Sequence, residues 1–244
     1  MRKLPPQYLI AALIIAAVAA AAGLYHRYGS NTRVAFVNYP EYLLAPLMNQ
    51  ELNPAIEATP LRWTETSGEE LKNYDMIIFF GMGLNFTEKQ QQLLATLKKP
   101  LYVTASTRTE TALNTLTGRQ REEIAAYLGN GGKENFRRML DYIRYEVDGK
   151  RLRAARPQPP KKIERHPFFH ISEDDAFKTY QEYLAWYKKT GRYKENAATV
   201  CLLSGNGGGA LEELIGALEK KGLNVVAANG MWNLLPMFEE VRPD

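Results

Sequence analysis

Two histidines that lie close together in the sequence are the first candidates for chemistry. His166 and His170 are four residues apart and bracket Pro167, Phe168 and Phe169. Two imidazoles at this spacing on a helix would share one face and could bind a metal ion or a haem iron. Pro167, however, disfavours helical backbone at the residue before it. The alternative is a loop that the two phenylalanines anchor, because no cysteine or second histidine pair adds to the ligand set.

A glycine-rich segment is the second candidate. Gly205, Gly207 and Ala210 match the G-x-G-x-x-G/A pattern, in which backbone amides at a helix N-terminus approach a pyrophosphate. The ribose-binding acid expected about 20 residues later is absent, since Asn229 stands in that region. We therefore treat Gly205, Asn206 and Gly207 as candidate cofactor-binding residues but expect no nucleotide to bind this chain. The alternative is a plain turn between a strand and a helix.

Composition narrows the class of protein. Hydrophobic residues make up 45% of the 244 residues and charged residues 24%, which is typical of a globular protein with a substantial core. The net charge of +4 is too small to predict nucleic-acid binding, which needs basic residues concentrated on one face. The single cysteine, Cys201, stands in an apolar segment and is expected to pack as a small hydrophobic residue.

Alternating strands and helices must position these residues. Strands are predicted at 33–39, 60–64, 74–80, 100–104, 199–203 and 223–227. Helices are predicted at 40–52, 87–97, 119–128, 133–147, 172–189 and 211–221. Capping boxes mark two of the helix starts, one at Thr87 and Gln90 and one at Thr117 and Gln120. The pattern predicts an α/β fold with Rossmann-like parallel sheet units, covered on both faces, and an inserted helical segment. The second unit is expected to have only two strands.

The domain organisation follows from composition shifts along the chain. Residues 1–29 form an N-terminal membrane anchor or signal segment, 30–106 a first α/β unit, 107–149 a helical segment, 150–170 a basic, proline-containing linker, and 171–244 a helix and the start of a second α/β unit. The basic stretch of the linker, residues 150–165, is either a solvated surface loop or a contact to anionic headgroups or propionates.

The N-terminal segment predicts one transmembrane helix. Leu9–Leu24 carries no charge and, with its flanking tyrosines, covers about 27 Å, close to the thickness of a hydrocarbon core. A cleaved signal peptide is the alternative, because three alanines precede Gly23. Arg2 and Lys3 outweigh Arg27, so the positive-inside rule predicts a single-pass inner-membrane protein with a cytoplasmic N-terminus and a periplasmic folded region.

Three stretches together resemble a known family. Tyr127–Asn135 resembles the helix-Gly-Gly-x-x-Asn-helix element of the large subunits of cobaltochelatase (CobN type) and magnesium chelatase. His166 with Pro167, followed by Phe177 and Tyr183–Tyr187, is similar to that family's His-Pro…Phe…Tyr-Leu-x-Trp-Tyr segment.

The third stretch comprises a strand, a helix end and a further strand, at Val200–Leu203, Leu218–Gly222 and Val225–Val226. It looks like the segment that follows in that family. The order and spacing of the three stretches fit across residues 33–244, and their order of appearance carries the resemblance. Asn135, His166 and Trp186 match family positions, where their roles could equally be structural.

The resemblance implies tetrapyrrole binding, of haem or another porphyrin or corrin, with insertion or removal of a divalent metal ion. It also implies ATPase subunits and the remaining chelatase domains as partners. Membrane-anchored relatives are associated with haem acquisition, where iron removal from haem is the proposed reaction. The chain is far shorter than a full large subunit, and the family's catalytic region is expected beyond Asp244, so no catalytic residue is transferred.

Two functions are therefore consistent with the sequence. The first is the N-terminal, membrane-tethered part of a CobN-like chelatase that is not catalytic alone. The second is a stand-alone exported α/β module that binds a small ligand, such as a tetrapyrrole or a metal ion, beyond its strand ends.

Overall fold

The fold is described from a computed structural model of the chain. The structure describes residues 6–64, 68–84, 86–106, 113–163, 166–170, 176–204, 209–229 and 234–243. Within these ranges, side chains are described except at 6–9, 11, 12, 209, 229 and 234–237. The chain divides into two compact units. Unit 1 comprises Met1–Asn38, Asn53–Arg121 and Leu140–Gln158, and unit 2 comprises Tyr39–Leu52, Glu122–Met139 and Pro159–Asp244. The five predicted segments stay a prediction.

The described helices account for most of the predicted ones. They are α1 (Pro6–Tyr28), α2 (Glu41–Met48), α3 (Gly68–Leu71), α4 (Glu88–Thr96), α5 (Gly118–Asn130), α6 (Gly132–Tyr142), α7 (Tyr180–Lys189), α8 (Gly209–Lys220) and α9 (Leu234–Val241). A π-helical turn, Ile143–Val147, continues directly from α6. Both predicted capping boxes are present: Gln90 and Gln120 each exchange hydrogen bonds with the threonine three residues before them.

Sheet A of unit 1 is the predicted parallel sheet. Its strands are β1 (Thr32–Val37), β2 (Ile56–Leu61), β3 (Met76–Phe80) and β4 (Leu101–Thr104), and their order is β2-β1-β3-β4. All three pairings are parallel. The first α/β unit is therefore confirmed as a parallel sheet.

Both faces of the central strands in sheet A are buried. Val37 and Phe79 pack on one face with Leu71 of α3 and Leu94 of α4. The intervening residues of these strands are buried as well: Val34, Phe36, Met76 and Ile78. A strand that is apolar on both faces is typical of a parallel sheet, and this explains why the sequence shows continuous apolar runs here.

The N-terminal segment is helical, as the sequence predicted. Nevertheless, none of the helices within the described residues combines the length and the apolar character that crossing a bilayer requires. The transmembrane helix predicted at Leu9–Leu24 is therefore not supported by the structure.

Unit 2 contains a second sheet, sheet B, of four strands, so the expectation of a two-stranded second unit is wrong. The strands are β5 (Phe168–Phe169), β6 (Ala176–Phe177), β7 (Thr199–Ser204) and β8 (Asn224–Asn229), in the order β6-β5-β8-β7. β7 and β8 are parallel, whereas β5 is antiparallel to both of its neighbours. The two short strands extend the sheet beyond β8 and complete its core.

The core of unit 2 lies on both faces of sheet B. On one face Phe168 and Val226 pack with Tyr183 and Tyr187 of α7. On the other face Phe169, Val225 and Ala227 pack with Ile215 of α8. Cys201 of β7 packs at the edge of the first cluster, half-buried, and burial raises the pKa of its thiol. It therefore packs as a small hydrophobic residue.

Two predicted boundaries need correction. β2 begins at Ile56 and ends at Leu61, whereas the sequence placed it at Pro60–Thr64. The helix predicted from Ser172 begins at Tyr180 with Thr179 as its N-cap, and Ala176–Phe177 is a strand. The predicted cap residues Ser172 and Asp175 lie outside the described residues.

Candidate functional site

His170 lies at the centre of a buried polar cluster in unit 2. It directly follows β5, and only 1% of its surface is exposed. Because side chains alternate along a strand, His170 lies on the same face as Phe168, where α7 packs. Its ring centroid lies 5.2 Å from that of Trp186 and 5.7 Å from that of Tyr187. Aromatic side chains thus surround the imidazole.

The hydrogen bonds of His170 define its tautomer. Nδ1 of His170 lies 3.4 Å from the Arg192 guanidinium, which can only donate, so Nδ1 accepts. Nε2 therefore carries the proton and donates to Oε1 of Glu219 at 2.9 Å. Both ring nitrogens are engaged by protein groups. A metal-binding role for His170 would require one of these contacts to break.

Two tyrosine hydroxyls extend the cluster to the start of β8. Tyr187 donates to Oε1 of Glu219 at 2.9 Å, and Tyr183 donates to the backbone oxygen of Val225 at 2.5 Å. Burial, with the hydrogen bond to Glu219, raises the pKa of Tyr187. Burial, with the nearby Tyr187 and Glu219, raises the pKa of Tyr183. Both hydroxyls therefore stay protonated and act as donors.

The histidine cluster and Ser204, the residue before the glycine-rich segment, lie at different ends of sheet B. Tyr183 and Tyr187 reach Val225, which is near the start of β8. Ser204, which precedes Gly205, is paired with Asn229 at the other end of the same strands. Gly205, Asn206 and Gly207 themselves lie outside the described residues. The segment connects the end of β7 to the start of α8, which is the context that a phosphate-binding turn requires.

His166 is half-buried and lies before β5, outside any helix or strand. It is thus not on one helical face with His170, so the shared-helix alternative, which Pro167 already disfavoured, is absent. Among the residues that the structure describes, no group of three or more His, Cys, Asp and Glu side chains is placed to hold a metal ion. The proposed cofactor roles of both histidines stay predictions.

The Gly-Gly-x-x-Asn element has a clear structural role. Gly131 and Gly132 adopt positive φ angles of 68° and 78° between α5 and α6. Asn135 is fully buried, and its amide donates to the backbone oxygens of Gly131 and Lys161. Its side-chain oxygen accepts from the Lys161 backbone nitrogen at 2.7 Å. Asn135 therefore fastens the basic linker to the first turn of α6.

A second candidate site lies where the strands of sheet A end. The order β2-β1-β3-β4 places a topological switch point between β1 and β3, and α/β sheets bind ligands beyond the carboxyl ends of such strands. Three loop residues there have positive φ angles: Asn38 after β1 (61°), Gly83 after β3 (79°) and Ala105 after β4 (54°). A positive φ is strained only at the non-glycine residues Asn38 and Ala105, and strained backbone of this kind is concentrated at functional sites.

Hydrogen bonds and close packing fix these loops. The amide of Asn38 donates to the backbone oxygens of Phe80 and Met82. A Cβ on Gly81 would lie 2.8 Å from the Cβ of Ser106, so only glycine fits there. Arg62 is the one charged side chain among the described residues that directly follow these strands. The site can therefore bind a small ligand, and the described residues that directly follow its strands include no acid–base pair.

Glu219 belongs to the histidine cluster but could not be assigned to it from the motifs in the sequence. Glu219 lies in the last turn of α8, where the helix dipole disfavours a negative charge. An acid at this position needs a compensating partner, and Arg192 lies 3.9 Å away while His170 and Tyr187 donate to it. An acid in the last turn of a helix was thus the signal that could have found it.

A buried arginine in unit 1 was also missed. Arg144 is fully buried and donates to the backbone oxygens of Ser30, Ala55 and Leu152 and to the Thr32 hydroxyl. Burial lowers its pKa, while the nearby Asp148 raises it. Since β1 begins at Thr32, this network lies at the amino end of the parallel strands, and its role is to hold the fold.

Comparison with known proteins first shows a family that part of the chain resembles. Residues 125–239 match the model of the CobN/Magnesium Chelatase family. The matched range contains Asn135, His166, His170 and Glu219. No curated protein matches the chain.

The chain is also similar to one part of a solved structure. The chain is similar to the catalytic subunit of cobaltochelatase from Mycobacterium tuberculosis, with a TM-score of 0.50 and 13% sequence identity. The match covers 80% of this chain and 16% of that chain, so this chain spans a small part of that subunit. At this identity the likeness shows a shared fold.

Proposed function

We propose that this chain is part of a CobN-like metal chelatase whose substrates are a tetrapyrrole and a metal ion, and that it is not catalytic alone. The observation that carries this proposal is the match of residues 125–239 to the CobN/Magnesium Chelatase family. The reaction is metal insertion into the tetrapyrrole or, in a haem-related member, removal of iron.

The described residues support the proposal that this chain supplies only part of the chelatase site. Asn135 and His170, which lie within the matched range, are each engaged in hydrogen bonds that hold the fold. No described cluster could hold the metal ion that a chelatase handles. We therefore propose that the remaining chelatase domains, and ATPase subunits where the system uses them, complete the site. The tetrapyrrole would contact this chain in the assembled complex.

Native purification tests the proposal. The full chain is tagged at its genomic locus, extracted in mild detergent and purified with its attached proteins, which mass spectrometry then identifies. We expect chelatase subunits to co-purify and the complex to show the absorption bands of a tetrapyrrole. A chain that purifies as a monomer, without such partners, would contradict the proposal.

We further propose that the chain lies at the inner membrane, with its N-terminus in the cytoplasm and its folded region in the periplasm. The charge difference between Arg2 with Lys3 and Arg27 supports this orientation. The large apolar side chains that α1 exposes, among them Leu13 and Ile15, support contact with lipid. Membrane fractionation, with protease treatment of spheroplasts, tests both points.

The second candidate function is a stand-alone small-ligand binding module. It is favoured by one observation, the switch point of sheet A with loops that have positive φ angles at Asn38, Gly83 and Ala105. A monomeric full-length chain that binds a small ligand, and that loses this binding in the Gly83→Val variant, would favour this function over the first.

A further inference from the structure

The end of α1 carries exposed apolar and aromatic side chains. Val18, Leu24 and Tyr25 each expose more than half of their surface. Exposed apolar surface of this extent marks a site of interaction with a protein or a membrane. Tyr25 lies one turn before the end of α1 at Tyr28, and tyrosines are enriched where the apolar and polar zones of a bilayer meet.

A loop from a distant part of unit 1 is fastened to this end of α1. The Leu152 backbone nitrogen donates to the Tyr28 oxygen at 3.1 Å. The Arg153 guanidinium donates to Asn31 Oδ1 at 3.3 Å and to the Gly29 oxygen. On the other side, the buried Arg144 donates to the Leu152 oxygen at 2.5 Å. The loop therefore has a defined position at the base of the helix.

Three arginines and a leucine face solvent at this point. Arg27, Arg151 and Arg153 are exposed, and Leu152 between the latter two exposes 54% of its surface. Arg27 and Arg151 lie over tyrosine rings, at 5.3 and 5.0 Å from the centroids of Tyr28 and Tyr145. We term Arg27, Arg151 and Arg153 together the arginine collar.

The charges of the collar are not neutralised locally. Lys150, the next basic residue, is buried and paired with Asp75 and Asp148 at 3.0 Å. By contrast, within the described part of the chain, no carboxylate lies within ion-pair distance of Arg27, Arg151 or Arg153. Arg153 also adopts a positive φ of 59°, which the loop's hydrogen bonds maintain.

We propose that the arginine collar binds the anionic headgroups of phospholipids at the bilayer surface that α1 enters. Guanidinium groups bind phosphate through paired hydrogen bonds. A cation near an anionic membrane surface is attracted to that surface, and an exposed leucine beside it can enter the interfacial zone. Because Arg151 and Arg153 are distant from α1 in sequence, the folded region supplies these charges only after it has formed. The inference rests on the proposed membrane contact of α1.

The test uses the full chain reconstituted into phosphatidylcholine vesicles, with or without anionic phosphatidylglycerol. A fluorophore is attached to Leu152→Cys in a Cys201→Ser background, and the vesicles carry a lipid with a spin label on its headgroup as the quencher. Met82→Cys is the control label, because Met82 is exposed and follows the carboxyl end of β3, at the other edge of sheet A. Arg151→Gln/Arg153→Gln is the test variant. Arg62→Gln/Lys89→Gln is the control variant, because it removes the same two positive charges at the other edge of sheet A.

In anionic vesicles we expect strong quenching at position 152 and weak quenching at position 82. The Arg151→Gln/Arg153→Gln variant should lose at least half of the quenching at position 152. The Arg62→Gln/Lys89→Gln variant should not. Vesicle-bound protein without quenching at 152, or with equal quenching in both charge variants, would overturn the collar while leaving membrane contact intact. A chain that does not float with either kind of vesicle would overturn the membrane proposal and the collar together.

Discussion

The imidazole of His170 and the carboxylate of Glu219 are joined by a hydrogen bond of 2.9 Å, which links the end of β5 to the last turn of α8. Tyr187 donates to the same carboxylate oxygen. The carboxylate lies where the dipole of α8 disfavours it, so these donors offset an unfavourable position. The cluster thereby ties both helical layers of unit 2 to sheet B.

Replacing Glu219 tests this relationship. Glu219→Gln removes the charge that His170, Tyr187 and Arg192 surround, and we expect the free energy of unfolding to fall by about 1–3 kcal/mol. Urea unfolding followed by tryptophan fluorescence measures this, because Trp186 lies against His170. The exposed Glu213 on the same helix is the control, and Glu213→Gln should change stability by less than about 0.5 kcal/mol. Equal effects of the two changes would contradict the assigned role.

Arg144 is expected to be the most sensitive charged residue of unit 1. Arg144→Met removes the donor that the oxygens of Ser30 and Leu152 share, and we expect a loss of about 3–5 kcal/mol in the free energy of unfolding. Thermal and urea unfolding of the full chain in mild detergent measure the loss. The exposed Arg119→Met serves as the control, and a stable Arg144→Met protein would show that the network is dispensable.

The linker should be released by a change at Asn135. Asn135→Ala removes both hydrogen bonds that hold Lys161, so we expect trypsin to cut after Lys161 or Lys162 several times faster than in the unaltered chain. Mass spectrometry of timed digests locates and quantifies the cut. Asn73→Ala, at an exposed asparagine, is the matched control, and an unchanged rate at the linker in Asn135→Ala would refute the anchoring role.

Glu134 gives a pH-dependent prediction. Hydrogen bonds from Arg137 and Arg138 lower the pKa of Glu134 below the ordinary value of 4.5. A lowered folded-state pKa contributes stability that is present above pH 4.5 and lost as the pH falls through the folded value. Glu134→Gln should therefore be less stable than the unaltered chain at neutral pH, and the gap should close in acid. A gap that is constant between pH 7 and pH 3 would argue against this ion pair.

The apolar elements of the fold could be predicted from the sequence because burial leaves a clear pattern. β1 and β3 are buried on both faces and appear as continuous apolar runs, and Thr87 and Thr117 mark helix starts through their capping boxes. β2 was misplaced because it is an edge strand of sheet A, and five of its six residues are partly or fully exposed, so its apolar pattern is weak. β5 and β6 have two residues each, too few for any periodicity.

The polar clusters could be predicted only in part. His170 stood out as one of three histidines, but its partners Glu219 and Arg192 are distant in sequence and are brought together only by the pairing of β5 with β8. Arg144 was hidden because a charged residue in a predicted helix is expected to be exposed. Tertiary contacts decide both cases, and a local pattern does not encode them.

The most direct measurement of the central claim is an absorbance titration with haem and with metal-free porphyrin. It is made on the full chain alone and on the chain in complex with its co-purified chelatase partners, with His166→Ala and His170→Gln as test variants and His26→Ala as the control histidine. A chelatase role predicts a saturable shift of the Soret band in the complex. The shift should be weaker or absent in the chain alone and unchanged by His26→Ala. No shift in the well-folded complex would contradict a chelatase role for this chain.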